Sequence, residues 1–236
     1  MPTTENVGAT LKWALSFIKY QPLTIGGDEP ALSNADTVLK TILGPPFGWP
    51  WNRSTAILNL TLAAGQDYKI NVPDFGFLEG ASIIDPTTSK PMELTIRTQL
   101  QLDANEERPQ YVAAQLDDGA GNITFRVVPS PDKAYIVVLT FQRKAPTITS
   151  LASYWAPVPD QFMYIPRWGF LALGCLIVND ARFPVFNAKF VAHLLSAQGG
   201  VDELQRNIFI QNWLQVTTNA QAAQLATQQR SQARAQ

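Results

Sequence analysis

The chain has 236 residues, of which 46% are hydrophobic and 16% charged, with a net charge of −1 and one cysteine. That length can bury a core of its own, in one large domain or two small ones. The charge balance sets up no global field toward nucleic acid or anionic lipid, the single Cys175 excludes an internal disulfide, and so low a charge content predicts a partner over some apolar surface.

No basic segment followed by an apolar one opens the chain, so it reads as intracellular, without a signal peptide. The N-x-S/T triplets at Asn52, Asn59 and Asn122 then read as polar strand residues rather than glycan sites. Val7, Leu11, Ala14, Leu15 and Ile18 fall on one face of a helix, which Gln21-Pro22 ends. Ser33 is a candidate cap for a second helix, with Asp36 at the capping-box position. Ala35, Val38, Leu39 and Ile42 line its face, and Gly44 followed by Pro45-Pro46 stops it. Trp49 and Trp51 are too apolar for a free linker and are expected to pin the helices against a sheet.

From 53 to 146 the period changes to two. Ala56, Leu58, Leu60 and Leu62 share a face; Tyr68, Ile70 and Val72 follow; Met92, Leu94, Ile96, Leu100 and Leu102 alternate with polar residues. Ile123, Phe125 and Val127, then Tyr135, Val137, Leu139 and Phe141, complete the set. Short alternating strands between turn signals predict a sandwich or a curled antiparallel sheet. Asp117-Asp118-Gly119-Ala120-Gly121-Asn122 lacks the alternating acids and closing glutamate of a calcium loop, and reads as a hairpin turn. Pro129-Ser130-Pro131-Asp132 reads as a turn between strands.

Beyond 147 the pattern is helical. Trp168 to Val178 holds eleven residues with no charge or amide, too few for the roughly 18 of a membrane span, and predicts a helix apolar all round and buried in protein. Asp160 is its expected cap; Pro166 either kinks it or marks its first turn; Asn179-Asp180 ends it. Pro184 opens the next helix, with Phe186, Phe190, Val191, Leu194 and Leu195 inward, and Ser196 to Gly200 is a turn. Between Val201 and Val216 the apolar residues point in nearly every direction, so this helix packs on its own core and on something else. Residues 218–236 hold six glutamines and six alanines, a composition expected to stay disordered until it meets a partner.

Chemistry is hard to find. His193, alone near a helix end, reads as a cap or surface residue. One His and one Cys cannot make a zinc site. Gly169 and Gly174 have phosphate-loop spacing without the following Lys-Ser/Thr, and read as close-packing glycines. Glu106-Glu107 reads as a solvated turn rather than an acid/base pair. No enzyme, metal or cofactor is expected.

Two short helices, the junction Trp49-Pro50-Trp51-Asn52, a β insertion and a long helical half resemble head-to-tail adaptor proteins of tailed bacteriophages, in particular the tail tubular protein A or gatekeeper-type adaptors of short-tailed phages. The resemblance is carried by Val158-Pro159-Asp160-Gln161-Phe162 leading into the apolar helix and by Asn179-Asp180-Ala181-Arg182-Phe183 before the next. The run from Asn122 to Tyr135 likewise resembles tail-associated β domains. The resemblance implies a virion protein at the portal vertex, made in the host cytoplasm. It would form a ring, commonly of twelve copies, under the portal, extending a channel that DNA crosses without sequence-specific binding, and carrying the next tail or nozzle protein. The resemblance implies no membrane partner.

The expected fold is therefore α+β: a helical bundle from 1–50 and 147–217, an inserted antiparallel β domain at 51–146, and an extended docking tail at 218–236. Gln224, Leu225, Gln228, Arg230 and Arg234 are the candidate portal-docking residues. Ile208, Phe209, Ile210 and Trp213 are the candidates for packing between subunits. The competing reading is a free-standing β-sandwich binding module for a glycan or peptide, braced by helices, with Trp49, Trp51, Tyr154 and Trp155 as its platform.

Overall fold

Helix α1 spans Val7–Leu15, α2 Ala31–Leu43, α3 Tyr164–Ile177, α4 Phe183–Ser196 and α5 Glu203–Arg234. The computed structural model describes residues 3–18, 27–62, 66–103, 105–198 and 202–234, the side chains of 220, 221 and 223–234 excepted. All five helices lie in one unit, Met1–Phe47 with Ala145–Gln236, while Gly48–Lys144 form a second.

The apolar run is α3, the axis of the helical unit, in contact with each of the other four helices. Ile165, Pro166 and every residue from Gly169 to Leu176 are buried. Pro166 is its third residue, inside the first turn, where its missing N–H has no intrahelical partner to lose. The helix ends as its sequence requires: Asn179 takes a left-handed φ of 53°, and the Asp180 amide donates to the Cys175 carbonyl at 2.8 Å. Gly169 earns its place by contact, since a Cβ there would lie 2.8 Å from Phe190 Cε2 and 2.9 Å from Val38 Cγ1. Both α2 and α4 thus rest on bare α3 backbone. Gly169→Ala is expected to cost about 1–3 kcal/mol of overpacking, read in a melting scan as a fall of roughly 2–12 °C; a midpoint moved by less than about 1 °C would show that the neighbours yield.

Two helix starts differ from expectation. Ser33 does not cap α2, which begins at Ala31; its amide and hydroxyl instead donate to the Glu29 carboxylate, at 3.1 and 2.7 Å. Asp36 is ion-paired with Lys40 and accepts from the Ile148 amide at 3.3 Å. Asp160 does not cap α3, because a 3-10 turn over Asp160–Phe162 comes first. Its carboxylate receives the Thr4 amide at 2.8 Å and the Thr4 hydroxyl at 3.1 Å, binding the start of the chain to the approach to α3. The stops expected at Gln21-Pro22 and at Gly199-Gly200 lie outside the described residues.

The second unit comprises β1 (Arg53–Leu60), β2 (Asp67–Asn71), β3 (Phe75–Ile84), β4 (Pro91–Glu93), β5 (Thr95–Ile96), β6 (Glu106–Glu107), β7 (Tyr111–Asp117), β8 (Asn122–Val128), β9 (Ser130–Pro131) and β10 (Tyr135–Arg143). One sheet is ordered β1-β10-β3-β4 and another β2-β8-β7-β5. Their inward residues, Leu58, Ile83, Val137 and Leu139 from the first and Tyr68, Val112, Phe125 and Val127 from the second, share one core. This is a sandwich, antiparallel except for the short β5–β7 and β6–β9 pairs.

The alternation from Met92 to Leu102 is not one strand. Leu94 N donates to Ala81 O at 2.9 Å and Thr95 N to Gln110 O at 2.8 Å, so the chain leaves one sheet for the other within two residues. After Ile96 it leaves the ladder, and Leu102 is exposed. Leu62 is exposed as well, two residues past the end of β1. Glu106-Glu107 and Ser130-Pro131, both expected as turns, form a two-residue parallel pair; proline can sit there because the donor is Ser130 N, to Asn105 O. The hairpin at Asp117–Asn122 is as expected. Gly119 and Gly121 have φ of 74° and 87°, and the Asp118 carboxylate collects the Ala120 and Asn122 amides.

Candidate functional site

α5 is capped by a box that its sequence carries: the Asp202 carboxylate accepts the Gln205 amide at 2.7 Å, and the Gln205 side chain accepts the Asp202 amide at 3.3 Å. Its inner stripe is Phe209, Trp213 and Thr217, spaced by four. Phe209 meets Phe47 edge-on at 4.9 Å and Trp213 meets Phe190 at 4.9 Å, with Trp213 Nε1 donating to Asn187 Oδ1 at 2.6 Å. Phe209 and Trp213, expected between subunits, are therefore spent inside this one. Ile208 and Ile210 are not: they are 46% and 41% exposed, and Leu204 and Leu214 are 69% and 63% exposed. At roughly 100° per residue, Ile210 and Leu214 form one apolar ridge about 80° round the helix from the inner stripe, and Leu204 and Ile208 another about 160° from it, on the opposite face.

The helix continues through Thr218 to Arg234 where a disordered tail was expected. Alanine, glutamine, leucine and arginine are good helix formers, no glycine or proline follows Gly200, and the packed first half supplies the nucleus. Gln224, Leu225, Gln228, Arg230 and Arg234 all lie on this stretch, the first and third and the last two each four apart.

Side chains at both ends of α3 act as staples. Arg182 reaches the Asp180 carboxylate at 2.6 Å and the Phe17 carbonyl at 2.7 Å, fixing the α3–α4 corner to the end of α1. That contact holds the Asp180 carboxyl down at about 2 and raises the guanidinium. At the other end Trp155 Nε1 donates to Thr10 Oγ1 at 2.8 Å, Thr10 donates to Glu5 at 2.7 Å, and Arg167 Nε meets Glu5 at 3.0 Å. Around these, Trp13, Phe17, Trp168 and Phe186 form an aromatic cluster, Trp13 edge-on to Trp168 and Trp168 stacked on Phe186, with Lys189 Nζ 4.5 Å from the Trp168 centroid. Sequence reading passed over this cluster because its members come from three helices.

Among the described residues no group of three His, Cys, Asp or Glu could hold a metal ion, and no helix is long and apolar enough to cross a membrane. His193 lies beside the Tyr164 and Trp168 rings. Cys175 is buried, and burial pushes its thiol up to about 11, so almost none is thiolate at neutral pH. It is expected to take under about a tenth of one equivalent of a thiol reagent in native buffer and a full equivalent in denaturant; rapid native labelling would contradict its burial. The aromatic platform of the binding-module reading is not available, since Trp49 and Trp155 are fully buried.

A family model, that of the SU10 adaptor protein, matches residues 37–232, from the second turn of α2 to the last turn of α5. No curated protein matches the chain.

Proposed function

The chain belongs to the SU10 adaptor protein family, a family of phage head–tail adaptors, and from that premise we propose that it closes into a ring of about twelve copies beneath the portal. The ring extends the DNA channel and carries the next tail component. The observation that carries this reading is α5. A helix with one face buried in its own unit and two separate exposed apolar ridges, about 120° apart, has something to offer two neighbours at once, which is the requirement of a head-to-tail contact that closes a ring. The near-zero net charge suits a channel through which DNA slides, because many cation–phosphate contacts would hold it. On this reading the far end of α5, from Thr218 onward, docks on the portal.

Negative-stain imaging of the protein mixed with its portal tests the proposal. Wild type is expected to add a ring to each portal. Ile208→Asp with Leu214→Asp places one charge on each ridge at exposed positions; it is expected to melt within about 2 °C of wild type, as surface changes do, and to form no ring. Rings from the double variant would remove α5 from the interface, and bare portals with wild type would overturn the adaptor reading itself.

A further inference from the structure

We infer that β1 is an acceptor strand, onto which an extended segment of another virion chain adds as a further strand of the sheet; this rests on the adaptor reading. The strand is unusually undefended. Its eight residues pair with β10 from Arg53↔Gln142 to Leu60↔Tyr135 without a register shift, and among the described residues no strand pairs with its other edge. Folded proteins protect such an edge with charged side chains, proline, a bulge or a short strand, and of these β1 has only Arg53, at its first position. The rest of the sandwich is better protected. One side is closed where the chain passes from β4 to β5 and so from sheet to sheet. The β2 edge is five residues with Asp67 and Lys69, ion-paired to Arg126 and Asp118.

The outward face beside the β1 edge is also bare. Ile57 is 63% exposed and Ile136, on the adjoining β10, is 45% exposed. Ile57 lies opposite Val138, and Ile136 opposite Ile84, so the apolar strip crosses three strands. A strand added at β1 would cover the open end of this strip and satisfy about four outward N–H and four outward C=O groups.

Charge selects the occupant. The one charged side chain of β1, Arg53, is already matched by Glu79, with Nε 2.9 Å from Oε2. The other seven are neutral. The incoming segment must therefore be uncharged over about seven residues, with an aliphatic side chain opposite Ile57. Among the described residues no sheet edge of a second copy matches it within a ring. Pairing of β1 with β1 is two-fold and closes at two copies, and the other sheet edges among the described residues are the charged β2, the three-residue β4 and the two-residue β5, β6 and β9. The occupant is a different protein, the tail component that the ring carries.

Amide hydrogen exchange on the free protein, on the portal–adaptor ring and on purified virions tests this. In the first two, alternate amides of Arg53–Leu60 are expected to exchange nearly unprotected while those held by β10 are slow. In virions the fast set is expected to slow by at least about 100-fold. Fast exchange in virions would overturn the inference, and so would slowing already present in the ring without a tail, which would make the occupant a second copy or the portal. Absence of the chain from virions would overturn the adaptor reading and this inference with it. As a variant, Ile57→Lys with Asn59→Lys, both at exposed positions, is expected to keep portal attachment and yield particles lacking the tail component, with Ile57→Val behaving as wild type; complete tails on the double-lysine variant would also overturn it.

Discussion

Leu173→Asp is expected to leave no soluble folded protein. Leu173 sits mid-way along α3, within the stretch Gly169–Leu176 whose every residue is buried, in a helix that meets α1, α2, α4 and α5. α3 itself offers a carboxylate there no cation: its one charged residue, Arg167, lies in its first turns and is already committed to Glu5. Burying an unpaired charge costs several kcal/mol even after relaxation, against a total stability of about 5–15 kcal/mol. Leu173→Ala separates charge from volume. It is expected to fold, with a loss of about 2–5 kcal/mol from the transfer and cavity terms. Soluble expression of the aspartate variant with an unchanged melt would show that α3 is not the core.

How far the fold could be read ahead depended on whether the decisive partner was local. α3 was legible because eleven residues without a charge or amide have nowhere to go but the interior. β8 and β10 were legible because their alternate residues are all buried, as Ile123, Phe125 and Val127 and as Tyr135, Val137, Leu139 and Phe141. β3, in the middle of its sheet, was invisible. Gly76 and Gly80 interrupt its pattern, yet a Cβ at Gly76 would lie 2.6 Å from Gln142 O, so the packing that makes the strand also removes its signal. β7 was missed because Ala113 and Ala114 fill the sandwich with too little side chain to register as a strand. Asp160 looked like a cap because a cap is local, whereas its true partner, Thr4, is 156 residues away.

The candidate site followed the same division. That α5 carries more apolar surface than one stripe can bury was a matter of angles, and the angles are in the sequence. Which of its residues turn inward was not, since that choice is made by Phe47, Asn187 and Phe190, from other segments. The disorder expected of 218–236 gave way to helix over 218–234 for another reason. Low hydrophobicity was weighed as a lack of core, while the helix propensity of the same alanines and glutamines was left out.

Deleting 218–236 is expected to leave the melting midpoint within about 2 °C of wild type while abolishing attachment to portal-bearing heads. Thr217 is the last buried residue of α5 among the described side chains, and the deleted stretch has no aromatic and a single leucine, Leu225. The fold therefore loses little. What the stretch does offer is a helix with two cations, Arg230 and Arg234, able to form two-point contacts with carboxylates on a partner. Its helical state changes the expected energetics of docking. A coil would lose roughly 1–2 kcal/mol of backbone entropy per residue on ordering, whereas a segment already extended from a packed helix loses only what its frayed turns retain. A proline at Ala226 should then weaken docking nearly as much as the deletion, by costing about 3 kcal/mol within the helix, while Arg230→Lys with Arg234→Lys should weaken it less. The measurement is a pull-down on tail-less capsids with full-length, truncated and Ala226→Pro protein. Equal capture of the first two would make 218–236 a solvated end, and equal capture of the first and third would mean that the portal reads its side chains without its helix.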